Sequence, residues 1–181
     1  MTGHEMAGHG SGVAGMVVMG LLTSVVAPLL VLAGRRRHRV APATSRLVRA
    51  VAILAGFTVL HAAVVLLTVA PTTGTVEHVL AHAVLLAGAV LFWLPVLGHG
   101  STRLPPAGRS VYLFLACPLL DMAALVLVVG GDETSGVAMI VAMLPVALAA
   151  VVLTWRWIAG EERAARAADD LVNASAVGGP R

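Results

Sequence analysis

Five long apolar runs, separated by short polar segments, follow one another along almost the whole of this 181-residue chain. Each run is continuous and about twenty residues long, which is the length that an α-helix needs to cross the hydrocarbon core of a bilayer. The strands of a membrane barrel would be shorter and would alternate apolar with polar residues. The pattern therefore predicts an all-α, polytopic membrane helix bundle with spans at residues 12–34, 48–70, 76–98, 110–129 and 136–158.

We place the membrane domain at residues 12–158. The segments on either side of it are predicted to be tails. Residues 1–11 are rich in glycine and contain His4, Met6 and His9, without the basic start that a secretory signal peptide needs. Residues 159–181 form the second tail, in which residues 161–170 are expected to prolong the last helix into water. Residues 173–181 are expected to be disordered.

The distribution of charge predicts an orientation. All twelve basic residues are arginines. Because the spans alternate in direction, every arginine falls on one side of the membrane or at the boundary of that side. The opposite side has no lysine or arginine and receives Asp132 and Glu133. The positive-inside rule therefore predicts a plasma-membrane protein with its N-terminus outside and its C-terminus inside.

The composition agrees with this class and excludes others. Hydrophobic residues make up 59% of the chain and the mean hydropathy is +0.93, which a soluble domain of this length would not show. The net charge of +3 is explained by topology and does not indicate nucleic-acid binding. The single cysteine, Cys117, excludes an intramolecular disulfide.

A pair of histidines opens the third run. His78 and His82 are four residues apart, so both imidazoles lie on one face of the helix with the spacing of a metal-ligand pair. Histidine is costly in hydrocarbon, and an intramembrane pair therefore indicates a functional site.

Two methionine pairs are predicted at a depth similar to that of the histidine pair. Met16 and Met19 lie on the first helix, and Met139 and Met143 lie on the fifth. Thioether sulfur combined with imidazole favours Cu(I) over hard cations, so these side chains predict a copper site in the outer leaflet. The alternative interpretation is packing, because methionine often fills gaps in a core. The histidines and methionine of the N-terminal tail are either a metal-collecting arm or part of a disordered tail.

His61 and Asp121 are predicted near the middle of the membrane. Buried ionisable groups usually pair, so these two residues form either a proton or metal relay or a polar clasp between the second and fourth helices. Cys117 shares the face of Asp121, and Pro118 predicts a kink in the fourth helix.

Several motifs, in their order and spacing, resemble those of the CtaG-type cytochrome c oxidase assembly factors. They are VAPLLVLAG at residues 26–34, Glu77-His78 followed by LFWLPV at residues 91–96, Ala116-Cys117-Pro118, the acidic turn from Asp132 to Met139, and Trp157 followed by Glu161-Glu162-Arg163. The resemblance covers most of the chain. It implies a membrane protein that assists oxidase assembly, with copper handled for the oxidase's copper centre and oxidase subunits as partners.

The chain also departs from the family pattern. It is shorter and has fewer spans than the usual member. Histidines that precede the VAPP-like run in the family correspond here to Met16 and Gly20, so that ligation is either lost or taken over by sulfur.

The leading hypothesis is a non-enzymatic assembly factor, or chaperone, that binds Cu(I) at its outer face. The candidate metal ligands are His78, His82, Met16, Met19, Met139 and Met143, with His61 and Asp121 as supporting or relay groups. Two alternatives stay open. One is a b-type haem protein with His61 and a third-helix histidine as axial ligands, and the other is a metal-free membrane scaffold.

Overall fold

The described residues of the computed structural model are 13–34, 43–69, 75–100 and 103–177. They fold into five helices and contain no strand. The helices are α1 (Val13–Ala33), α2 (Ala43–Val69), α3 (Thr75–Leu97), α4 (Pro106–Val129) and α5 (Glu133–Val177). Each is long and apolar enough to span a membrane, which confirms the predicted all-α polytopic bundle. The N-terminal tail with His4, Met6 and His9 lies outside the described residues.

Several helix boundaries differ from the prediction, among them the starts of α2, at Ala43, and of α5, at Glu133. Helix α4 begins at Pro106, because proline suits the first turn of a helix, where its missing N–H has no acceptor to serve. Helix α5 continues past residue 170 and ends at Val177, so residues 173–177 are helical. Arginine, glutamate and alanine favour the helix here, and the side chain of Arg166 pairs with that of Glu162 at 3.2 Å.

The helices pack side by side as a ring in the order α1, α3, α2, α4 and α5, which returns to α1. Helices α4 and α5 share the most extensive interface. The centre of the ring is filled by large side chains that are almost wholly buried, such as Phe92, Trp93 and Leu120. Valines and leucines on the outside of the ring are exposed, for example Val59 and Leu148, as expected of a surface that faces lipid.

Small residues allow three of the helix pairs to approach closely. A Cβ atom at Gly20 of α1 would collide with the Cβ atom of Ala142 on α5. A Cβ atom at Gly136 of α5 would lie 2.7 Å from the carbonyl oxygen of Ala124 on α4, and one at Gly88 of α3 would lie 2.6 Å from Cδ2 of Leu60 on α2. Lipid provides no hydrophobic force between helices, so such close packing holds the bundle together.

The two ends of the bundle differ in charge. At one end, which we call the arginine end, α1 and α3 finish and α4 begins, with Arg103, Arg109 and Arg156 nearby. At the other end, the acidic end, α2 and α4 finish and α3 and α5 begin. There the carboxylate of Asp132 caps α5 by accepting a hydrogen bond from the Ser135 amide at 3.2 Å.

We predict that Gly20→Ala destabilises the bundle by about 1–3 kcal/mol, since the added methyl group must push α1 away from α5. Unfolding of the purified protein in detergent, followed by circular dichroism, measures the change. The matched control is Gly56→Ala on α2, where a Cβ atom meets nothing within 4 Å. Equal stability of the two variants would contradict the assigned helix contact.

Candidate functional site

Helix α1 contains a π-helical turn at Leu22–Val26. The amide of Ala27 donates to the carbonyl oxygen of Leu22, one residue further back than in an α-helix. The next residue, Pro28, has no N–H to donate. The carbonyl oxygen of Thr23 is therefore left without a donor from its own helix.

The neighbouring helices bind the π turn. The indole Nε1–H of Trp93 on α3 donates to the free carbonyl oxygen of Thr23 at 2.8 Å. The hydroxyl of Ser24 donates to the carbonyl oxygen of Ala142 on α5, also at 2.8 Å. Both bonds are buried, so the irregular turn connects α1 to its two neighbours in the ring.

His61 of α2 is fully buried beside this region. Its ring packs against that of Phe57 with 5.8 Å between centroids, and neither ring nitrogen has a hydrogen-bond partner among the described residues. The hydroxyls of Thr23 and Thr58 are likewise buried without a partner in the described part of the chain. Leaving such a group unsatisfied costs about 1–3 kcal/mol, and buried polar groups of this kind usually bind ordered water or a ligand.

The four candidate methionines are all buried, with exposed fractions of 5% or less. Met19 and Met143 flank the close contact between Gly20 and Ala142, and Met16 and Met139 lie about one turn nearer the acidic end. The structure thus brings the two predicted pairs to one layer of the core. Met122, by contrast, is 55% exposed on the lipid-facing surface.

His61 lies at a depth comparable to that of these methionines. Trp93 of α3 is bonded to Thr23 of α1, and about one turn nearer the acidic end lie Gly88 on α3 and Met19 on α1. Gly88 packs against Leu60 of α2, which is the neighbour of His61. Because α1, α2 and α5 all face the centre of the ring, the imidazole and the thioethers share one half of the core.

The histidine pair continues the buried stripe of α3. Leu85, Ala89 and Phe92 are fully buried, and His78 and His82 extend their spacing of three and four residues toward the acidic end. Both histidines are half-buried there. Nδ1 of His82 donates to the carbonyl oxygen of His78 at 2.6 Å, because a carbonyl can only accept, and in the neutral ring Nε2 is then left as an acceptor.

The predicted pair of His61 and Asp121 does not form. Both nitrogens of His61 lack a partner, and Asp121 instead lines a cavity of about 50 Å³ between α4 and α5. Cys117, one turn away on the same face as predicted, and Met143 line the same cavity. The predicted clasp between α2 and α4 is therefore wrong, because Asp121 lies against α5 and the imidazole of His61 has no hydrogen-bond partner among the described residues.

The candidate donors buried in the core are mainly sulfur. Among the described residues, no group of three or more histidine, cysteine, aspartate or glutamate side chains is arranged to hold a metal ion. A metal in this core would therefore depend on methionine. Sequence reasoning missed Thr23, Thr58 and Trp93, although Pro28, close behind two hydroxyl residues in an apolar run, was a signal for an irregular turn.

The haem alternative stays a prediction. His61 is fully buried in the core, and His78 and His82 are half-buried nearer the acidic end of α3.

We predict that Trp93→Phe destabilises the protein by about 1–3 kcal/mol, since it leaves the buried carbonyl of Thr23 without a donor. Detergent unfolding provides the measurement, and Trp155→Phe, at a side chain that is 73% exposed, is the matched control. In a Pro28→Ala background the cost should shrink, because residue 28 regains an N–H for the helix. Equal costs of Trp93→Phe in both backgrounds would contradict the role of Pro28.

Comparison with known proteins finds no matching family model, no matching curated protein and no matching solved structure.

Proposed function

We propose that this chain is a membrane protein that binds Cu(I) in the half of its bundle nearer the acidic end and serves as an assembly factor for cytochrome c oxidase. One observation supports the metal site above the others. His61 is fully buried with both ring nitrogens unpartnered, in the same half of the core as Met19 and Met139, which are also fully buried.

The chemistry of these donors suits Cu(I) better than divalent ions. Thioether and imidazole groups are soft or intermediate ligands, and both are neutral. A monovalent ion held by neutral ligands brings a single charge into the core, whereas Zn²⁺ or Ca²⁺ would bring two charges without carboxylates to balance them. Among the described residues, the carboxylate of Asp121 lines the α4–α5 cavity together with Met143 and not with Met16, Met19 or Met139.

A path into the site begins at the acidic end. His78 and His82 are half-buried there, and the lone pair of Nε2 of His82 is available to coordinate a metal ion. Met16 and Met139 follow toward the centre, and Met19 and His61 lie deeper. We assign the histidine pair to the entrance of the site, and we keep Asp121, beside Met143 and Cys117, as a candidate ligand outside this path.

The role in oxidase assembly is supported by the motif resemblance alone. Gly20, at a position that corresponds to a family histidine, is packed against Ala142 and has no room for a side chain. Sulfur from the adjacent Met19 and Met16 would supply the ligation in this chain. The arginine distribution supports placing the acidic end, and hence the entrance, outside the plasma membrane, on the side from which oxidase subunits would receive copper.

We predict that the purified chain binds about one Cu(I) with high affinity in competition with a Cu(I) chelator, and that Met19→Leu/Met139→Leu weakens binding by about tenfold or more. Leucine keeps the volume of methionine and typically costs less than about 1.5 kcal/mol of stability, so the fold should survive. The lipid-facing change Met122→Leu is the matched control and should leave affinity unchanged.

The same titration separates the interpretations of the histidines. His61→Phe should abolish high-affinity binding while keeping the packing with Phe57, and His78→Ala/His82→Ala should slow the loading of the deeper site. If circular dichroism shows that the wild-type chain is folded and the chain binds no Cu(I), the copper proposal is wrong and the metal-free scaffold remains. Unchanged affinity in the double methionine variant would show that the methionines only pack.

A further inference from the structure

A cavity of about 670 Å³ opens at the arginine end, away from the methionine layer. Helices α1, α3, α4 and α5 each contribute to its wall. Its volume is in the range of sites that bind small molecules or the headgroup region of a lipid. None of the candidate copper ligands lines this cavity.

Arginines dominate the charge of this cavity. Its lining residues include Arg103, Arg109, Arg156 and Arg163, with Glu161 as the single carboxylate among the described residues that line it. Oxygen Oε1 of Glu161 accepts a hydrogen bond from Nε1 of Trp157 at 3.1 Å.

The guanidinium groups are not neutralised within the described part of the chain. Arg103, Arg109 and Arg156 line one cavity, so their like charges repel one another, and Nε of Arg109 is buried without a hydrogen-bond partner among the described residues. The salt bridge found among the described residues joins Arg166 to Glu162, outside the cavity. Arginines that line one cavity without a salt bridge in the described part of the chain suit an anion, and their forked geometry matches phosphate oxygens.

The walls of the cavity point to the source of the phosphate. Leu32, Leu97 and Leu153 line it beside the arginines. Trp155 lines it as well and is 73% exposed, as expected of a tryptophan at the boundary between hydrocarbon and headgroups. A free phosphate would gain nothing from these apolar residues, whereas a phospholipid would place its glycerol and acyl chains against them.

We propose that this cavity binds the phosphate of an anionic phospholipid, with Arg103, Arg109 and Arg156 around the headgroup and the leucine wall beside the acyl chains. Basic pockets between membrane helices are a recurrent way of holding such lipids. Binding would neutralise the repulsion among the arginines, so the lipid stabilises the arginine end of the bundle.

The test uses the full-length protein in detergent, with phosphatidylglycerol, phosphatidylcholine or inorganic phosphate added. Phosphatidylglycerol should raise the unfolding midpoint and persist as a bound lipid in native mass spectrometry, and phosphatidylcholine should do neither. Arg109→Gln/Arg156→Gln should weaken phosphatidylglycerol binding by about tenfold or more. Arg166→Gln, which removes a surface arginine of α5 outside the cavity, is the matched control and should bind as the wild type does.

Three results would overturn the proposal. They are equal stabilisation of the wild type by the two lipids, unchanged phosphatidylglycerol binding in the folded double variant, and equal stabilisation by inorganic phosphate at the same concentration. The last result would assign the cavity to a free anion. Arg156→Lys keeps the charge and guards against a variant that does not fold, and it should retain part of the selectivity for phosphatidylglycerol over phosphatidylcholine.

Discussion

The backbone of a helix that crosses lipid must satisfy all its hydrogen bonds within the protein, and the rest of this structure depends on how α1 meets that constraint. Pro28 removes the donor that would reach the carbonyl oxygen of Thr23, and the indole of Trp93 supplies it from α3. Ser24 then ties the same turn to α5. Because α1 is fixed on both sides at the π turn, Gly20 is held against Ala142 and the two methionine pairs share one layer.

The sequence predicted the helices well because their signal is local. Continuous apolar runs define each span, and the proline and glycine residues at 98–106 and 130–131 define the turns. The rotation of each helix is set by its neighbours and was not predictable from these apolar runs. From the sequence, His61 and Asp121 are natural partners, yet Asp121 lines a cavity against α5 and His61 has no hydrogen-bond partner among the described residues. The order of the helices in the ring decides which helices contact each other, and this order has no local signal in the sequence either.

The candidate site was predictable in its residue types and only partly in its arrangement. Met16, Met19, Met139 and Met143 are buried in one layer, as a shared site requires, although burial is equally what packing requires. The structure adds that both ring nitrogens of His61 lack a hydrogen-bond partner among the described residues, which the sequence did not indicate. The two ends of the bundle differ in their candidate ligand-binding groups. Half-buried histidines lie at the acidic end, and converging arginines line the cavity at the other end.

In the proposed site, sulfur and imidazole from this core hold the same copper ion. X-ray absorption at the copper K-edge of the Cu(I)-loaded 181-residue chain tests this ligand set, because sulfur and nitrogen neighbours scatter at distinguishable distances. We expect a shell of thioether sulfur together with an imidazole nitrogen. A spectrum with nitrogen or oxygen neighbours and no sulfur would contradict a site in the methionine layer.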